Sequence, residues 1–238
     1  MRPPARASEQ LFIRSAAIVV AAGSGERLGA GRPKAFVPLA GRPLVAWSLD
    51  AIASAGVPRA IVAVPPGHGP AAEEALAAAG GDFPGGFVLV EGGETRSASV
   101  RNALAAAGAD VEAVAVHDAA RPLAAPDLFT RTLDALADAD AAIAAARMTD
   151  TIKEAGDDGI VVRTHDRSRL WAIQTPQAFR ADVLRRALDV AREVLAQATD
   201  DAWLVERAGG TVRVVESSPA NFKVTTPHDL ALAERLLC

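Results

Sequence analysis

Through the first 150 residues, short apolar runs alternate with longer stretches in which apolar and small residues recur at helical spacing. The runs Ile18–Ala21, Ala60–Val64, Phe87–Val90, Ala113–Val116 and Ala141–Ala145 hold no charged residue and predict buried strands. Between them, Leu44–Ala55, Ala71–Ala79, Thr95–Ala106 and Asp127–Ala137 read as helices. Such β–α repetition predicts an α/β fold: a Rossmann-like, mostly parallel sheet with helices on both faces. Ligands are then expected at the carboxyl ends of the strands. Alanine is abundant throughout and blurs the helix boundaries.

Residues 147–170 break the alternation. Arg147–Lys153 reads as extended, Gly156-Asp157-Asp158-Gly159 as a tight turn, and Ile160–Thr164 as a returning strand. A polar hairpin with so little apolar surface is not stable alone and must pack on something, with another subunit as the natural candidate. Beyond it the pattern predicts helices at Asp182–Ala196, Asp201–Ala208 and Pro227–Leu237, and a strand at Thr211–Val215. The expected organisation is a flexible extension over 1–15, then one domain over 16–238 with a protruding arm at about 147–170.

The chain is long enough for one large domain with a substantial core. Its net charge of −4, with no basic stripe, argues against nucleic acid or an anionic membrane as partner. Arg2, Arg6 and Arg14 open the chain, but no apolar segment of signal-peptide or membrane-spanning length follows. A cytoplasmic location is expected. The single cysteine, Cys238, excludes an internal disulfide and a cysteine metal cluster.

The most informative chemistry leaves the first predicted strand. The loop Ala21-Ala22-Gly23-Ser24-Gly25-Glu26-Arg27-Leu28-Gly29-Ala30-Gly31-Arg32-Pro33-Lys34 holds four glycines and three cations. Glycines let backbone N–H groups close on phosphate oxygens, and the cations supply matching charge, so the loop reads as a triphosphate cradle. It is not a P-loop, because no Gly-x-x-x-x-Gly-Lys-Ser/Thr string occurs. Nor is it a dinucleotide fingerprint. Leu28 stands where the third glycine belongs, and the second strand runs into Pro65-Pro66 without a carboxylate. A dinucleotide-dependent oxidoreductase is thereby disfavoured.

Three further strings accompany the loop: His117-Asp118-Ala119-Ala120-Arg121-Pro122, Thr175-Pro176-Gln177 and Asn221-Phe222-Lys223-Val224-Thr225. Together the four resemble the 2-C-methyl-D-erythritol 4-phosphate cytidylyltransferase family, from about Ala16 to Leu237 and in the family's order. The resemblance implies transfer of CMP from CTP to a polyol phosphate with release of pyrophosphate, in isoprenoid precursor synthesis without mevalonate. It also implies a homodimer whose arms cross into the neighbouring site. Ribitol 5-phosphate is the rival acceptor, and a non-catalytic nucleotide-binding module the rival of a different class.

A phosphate monoester is mostly dianionic at neutral pH and needs no activating base. The demand is instead for cations, positioning and usually Mg²⁺. The resemblance assigns Arg27 and Lys34 to the transition state, and Arg167 and Lys223 to the acceptor's phosphate. It implies nucleotide contacts from Ala21, Ala22, Gly23, Gly25, Gly93, Glu94 and Ser99. Glu94 replaces an aspartate common in relatives. Asp118, at a strand end, is the natural carboxylate for Mg²⁺ or for hydroxyls of either substrate. Arg121 is expected to meet the substrate or Asp118, and Thr151 and Thr175 to meet substrate hydroxyls. His117 reads as structural, since no second histidine or cysteine stands at ligand spacing. The pair Asp200-Asp201 reads as a helix cap.

Overall fold

A computed structural model describes residues 12–29 and 31–237. Residues 1–11 of the expected extension, and Cys238, lie outside the described residues. The extension is shorter than expected at its inner end. Phe12 packs on the core, and Ser15 already opens the first strand, paired with Ala113.

The elements follow in order: β1 (Ser15–Val20), β2 (Pro38–Leu39), β3 (Arg42–Pro43), α1 (Leu44–Ser54), β4 (Ala60–Val64), α2 (Gly69–Ala77) and β5 (Phe87–Glu91). Then come α3 (Arg96–Ala106), β6 (Ala113–Asp118), α4 (Pro126–Asp134), β7 (Ala141–Arg147), β8 (Lys153–Ala155), β9 (Val161–Thr164) and β10 (Trp171–Arg180). The chain closes with α5 (Ala181–Leu188), α6 (Arg192–Gln197), α7 (Asp201–Arg207), β11 (Val212–Glu216) and α8 (Pro227–Leu237). Seven strands form one sheet in the order β11-β7-β10-β6-β1-β4-β5. All neighbours are parallel except β10, which runs antiparallel to both β6 and β7.

Side-chain alternation along the central strands builds a core on each face. Ala17, Val19, Ala60, Val62, Ala113 and Ala115 point toward α1, α2 and α4, whose Val45, Leu49, Ile52, Ala72 and Phe129 cover them. Ala16, Ile18, Ile61, Ala63, Val114 and Val116 point the other way, under α3, α5, α6 and α7. A third cluster joins Leu28 after the glycine loop, Val37, Leu39 and Leu44 to Val224 and to Ala233 of α8. The segment after β1 is thus packed against the loop before α8 and α8 itself, beside the strand ends.

The hydrophobic pattern missed β10. Pro176 interrupts its ten residues, and a proline inside an apolar run argues against an inner strand. The ladder accommodates it: pairing with β7 skips from Ile173 to Gln177, where the missing N–H is not called on. The single helix expected over Asp182–Ala196 is two, because the backbone leaves the helical region at Asp189. Nothing in Asp189-Val190-Ala191 is a stop signal, so the pattern reads through the break. Of the segment expected to be extended, Arg147 ends β7 and Lys153 opens β8, while residues 148–152 between them belong to no strand.

The arm is a two-stranded ribbon of β8 and β9, every residue of which is exposed. Ile160, Val161 and Val162 stand 66%, 54% and 71% exposed on it, an unusual setting for three successive branched apolar residues. Among the described residues no helix is long and apolar enough to cross a membrane.

Phe179 is fully buried between the sheet and α5. Phe179→Ala should cost about 3–5 kcal/mol of unfolding free energy, read from urea denaturation. A loss below about 1 kcal/mol would mean that this core collapses around the cavity.

Candidate active site

The carboxyl ends of β1 and β6, the loop after β5 and the loop before α8 enclose a cleft of about 640 Å³. Its wall contains Ala21, Ala22, Gly23, Gly25, Arg27, Lys34, Gly93, Glu94, Ser99, Asp118 and Lys223. Most of the residues singled out from sequence therefore converge on one space, at the strand ends where an α/β sheet binds its ligands.

The glycine loop is built to present Lys34. Gly25 has φ +77°, a left-handed conformation that favours glycine, and a Cβ there would lie 2.9 Å from the Lys34 Cβ. The Lys34 N–H donates to the Gly23 carbonyl oxygen at 3.3 Å, which closes the loop on itself. Leu28 and Val37, on either side of this turn, are anchored in the third core cluster. The chain has three lysines, and two of them, Lys34 and Lys223, face this cleft. Burial pushes the Lys34 ammonium down to about 8, and its neighbours Lys223 and Arg27 push the same way.

Asp118 is the hub. Its Oδ2 accepts from Lys223 Nζ at 2.8 Å, and its Oδ1 accepts from Arg96 Nε at 2.9 Å. Burial alone would raise this carboxyl, but the two cations hold it well below the usual carboxylate range. Arg96, the first residue of α3, reaches a second carboxylate: its Nη1 donates to Oδ2 of Asp201 at 2.5 Å. Burial would weaken that cation, and the two carboxylates reverse the effect, so it stays charged.

Neutral hydrogen bonds fix Asp118 from behind. Its N–H donates to Thr175 Oγ1 at 3.0 Å. His117 Nε2 lies 3.2 Å from the Arg121 carbonyl oxygen, which can only accept, so Nε2 carries the proton. Nδ1 is then free to accept from the Thr175 hydroxyl at 3.0 Å. Burial pushes the imidazole down to about 4, which keeps it neutral. The Asn221 side chain donates to Gln174 Oε1 and to the Thr175 carbonyl oxygen, both at 2.9 Å, and tethers the loop that carries Lys223. Val224 next door is fully buried, so only the lysine of Asn221-Phe222-Lys223-Val224 is thrust into the cleft.

The loop after β5 forms a narrow slot opposite the glycine loop. A Cβ on Gly92 would sit 2.4 Å from the Ala22 Cβ, and one on Gly93 would sit 2.6 Å from the Ala98 Cβ. Both positions require glycine for close approach. Ser99 Oγ accepts from the Gly93 N–H and donates to the Thr95 carbonyl oxygen, each at 3.0 Å, which stiffens the slot. Glu94 forms an ion pair with Arg192 of α6 at the rim.

Four expected contacts fall elsewhere. Thr175 is buried behind Asp118, with its hydroxyl committed to His117 and the Asp118 amide, so it supports the carboxylate instead of lining the cleft. Arg121 does not pair with Asp118: its Nη1 donates to the Asn221 carbonyl oxygen at 2.7 Å, and burial lowers its pKa. Arg167 and Thr151 are exposed on the arm, away from the chain's own cleft, and Arg167 donates to the Thr149 carbonyl oxygen. Two residues escaped the sequence reading. Arg96 lies two residues after Glu94, but nothing local tells which carboxylates it will meet. Asp200 caps α7, accepting from the Trp203 N–H at 2.8 Å, and Asp201 is the buried partner of Arg96. The doubled aspartate was the available signal, since a cap needs only one.

Among the described residues no cluster of three or more His, Cys, Asp or Glu side chains could hold a metal ion. Both oxygens of Asp118 already accept from cations, so a metal ion in this cleft would have to be carried chiefly by phosphate oxygens and water.

The family model described as 2-C-methyl-D-erythritol 4-phosphate cytidylyltransferase matches residues 15–238. A protein of that name from Symbiobacterium thermophilum is 46% identical over 92% of this chain and 91% of its own. One from Cereibacter sphaeroides is 47% identical over 94% of this chain and 96% of its own. The crystal structure of the 4-diphosphocytidyl-2C-methyl-D-erythritol synthase from Anaerococcus prevotii superposes with a TM-score of 0.80. It has 30% identity and covers 94% of this chain and 97% of that one. A cytidylyltransferase structure from Thermus thermophilus gives 0.74 at 35% identity, covering 92% and 97%.

The depressed Lys34 ammonium can be read directly. Its modification by an amine-reactive ester, followed by peptide mass spectrometry across a pH series, should reach half its maximal rate near pH 8. A midpoint at the ordinary 10.5 would show that neither burial nor the crowding of cations is felt there.

Proposed function

The chain belongs to the 2-C-methyl-D-erythritol 4-phosphate cytidylyltransferase family, and from that membership we propose how its cleft carries out the reaction. The protein is a CTP-dependent cytidylyltransferase of isoprenoid precursor synthesis. The observation that carries the residue assignment is the meeting of Lys34 and Lys223, 189 positions apart in sequence (223 − 34), in one cleft with Asp118.

CTP lies with its base in the slot between Ala22 and Gly93 and its triphosphate along the glycine loop. A non-bridging oxygen of the acceptor's phosphate attacks the α-phosphorus. One new P–O bond forms, the bond to the bridging α–β oxygen breaks, and pyrophosphate leaves with that electron pair. No proton has to move, because the attacking phosphate is already dianionic. Arg27 and Lys34 stabilise the charge that builds on the α-phosphate oxygens. Asp118 holds one N–H of Lys223, and the two remaining donors of that ammonium face the acceptor's phosphate. Mg²⁺, bound by the triphosphate with Asp118 as its protein carboxylate, would neutralise phosphate charge.

Arg167 belongs to the same scheme in trans. Its exposure on the arm, outside the wall of its own cleft, and the exposed Ile160-Val161-Val162 ribbon support a homodimer in which the arm crosses and the partner subunit's Arg167 meets the acceptor. Thr151, on the same arm, is assigned to the acceptor's hydroxyls. We place the protein in the cytoplasm, where CTP is available.

The direct test is pyrophosphate release with Mg²⁺ and each of CTP, UTP, ATP and GTP, offered 2-C-methylerythritol 4-phosphate or ribitol 5-phosphate. Release with CTP and the methylerythritol phosphate alone is expected, and release only with ribitol phosphate would overturn the acceptor. Lys34→Ala should lower kcat by about 10²–10³ with a smaller change in the KM for CTP, as for loss of one preorganised charge. Lys223→Ser should chiefly raise the acceptor's KM, and an unchanged value would move the phosphate site elsewhere. Mixing Lys34→Ala chains with Arg167→Ala chains should restore part of the activity, because one cleft of the heterodimer is then intact. Heterodimers that form and stay inactive would rule out action across the interface.

A further inference from the structure

Asp201 is fully buried and lies outside the cleft wall, yet one cleft cation depends on it. It is not needed to start α7, since Asp200 supplies that cap and also accepts from Gln177 Nε2 at 2.9 Å. Among the described residues the carboxylate of Asp201 has one side-chain partner. Oδ2 accepts from Arg96, and the buried Oδ1 has none. Burying a charge with one oxygen unmatched is a poor way to stabilise a fold, because desolvation offsets most of the Coulomb gain. Burial accordingly pushes this carboxyl up, and Arg96 opposes it.

The geometry gives a better reason for the pair. Arg96 Nε is spent on Asp118 and Nη1 on Asp201, so two contacts at different edges fix the plane of the guanidinium. With Asp118 as its only anchor, Arg96 would be free to swing toward any polyphosphate in the cleft, whose wall it shares. Asp118 would then lose the hold on Oδ1 that aims Oδ2 at Lys223. The run Asp201–Arg96–Asp118–Lys223 is a line of alternating charges that starts in the core and ends at the cleft.

We propose that Asp201 is a positioning residue. Acting only through Arg96, it locks Asp118, and thereby sets the direction in which Lys223 meets the acceptor's phosphate. This rests on the assignment of Lys223 to the acceptor made above.

The test is a double-mutant cycle in the full-length enzyme with Asp201→Asn, Arg96→Lys and the pair, read by steady-state kinetics. The wild type is assayed first with CTP and 2-C-methylerythritol 4-phosphate. Its silence would defeat the functional assignment itself, which separates that failure from this one. Asp201→Asn should raise the acceptor's KM about tenfold while the KM for CTP stays within about twofold. In the Arg96→Lys background the same change should add almost nothing, because the intermediary has gone. Wild-type kinetics in Asp201→Asn would overturn the proposal, as would an effect that adds in full to that of Arg96→Lys. A fall in kcat that tracks the loss of folded protein, with both KM values unchanged, would reduce Asp201 to a structural residue. If Asp201→Asn does not fold, Asp201→Glu, which keeps the charge and displaces it by one methylene, takes its place with the same outcomes deciding.

Discussion

Cations gathered in one cleft repel one another, and the buried carboxylate of Asp118 lets this protein keep several of them close. Lys34, Arg27, Lys223 and Arg96 share the space, and the pKa of Lys34, lowered first by burial, is pushed down further by Lys223 and Arg27. Lys223 and Arg96, from distant parts of the chain, each hold one oxygen of Asp118. A triphosphate and a phosphate monoester, both strongly anionic, then enter a site whose positive charge is already in place. That preorganisation is what phosphoryl and nucleotidyl transfer ask of a protein, since no difficult proton transfer has to be catalysed.

The rest of the molecule serves to hold that carboxylate still. β6 lies between β1 and β10 in the sheet, so Asp118 sits at the end of an inner strand that is buried along its whole length. Behind it, the His117 imidazole and the Thr175 hydroxyl form a neutral relay that satisfies the Asp118 amide without adding charge. His117 also packs edge-on against Phe129, with ring centroids 5.0 Å apart, so the relay is braced by the core.

The strands and helices were largely legible, because β1, β4 and β6 are buried on both faces and so leave short uncharged apolar runs. β4 and α8 fall on the expected bounds, Ala60–Val64 and Pro227–Leu237. β10 was not legible, because its ladder tolerates a proline only through a skip that no local pattern announces. Within the site, the positions of Gly25, Arg27, Lys34 and Lys223 were readable from their own loops, and all four line the cleft. Residues whose role is set by a partner far away in sequence were not. Thr175, Arg121 and Arg96 differ little as sequence, yet one braces a histidine, one ties two main-chain carbonyl oxygens and one bridges two carboxylates.

The third core cluster has a consequence for the order in which the molecule becomes competent. It packs Leu28, next to the glycine loop, against Val224 and against Ala233 of the final helix. The nucleotide loop is made early, but the cation that answers it and the helix that fastens both follow only after every strand of the sheet. A nascent chain therefore carries the triphosphate cradle without its opposite wall. Only a chain synthesised through α8 can bring the two anionic substrates together, and that helix acts as the keystone of the site.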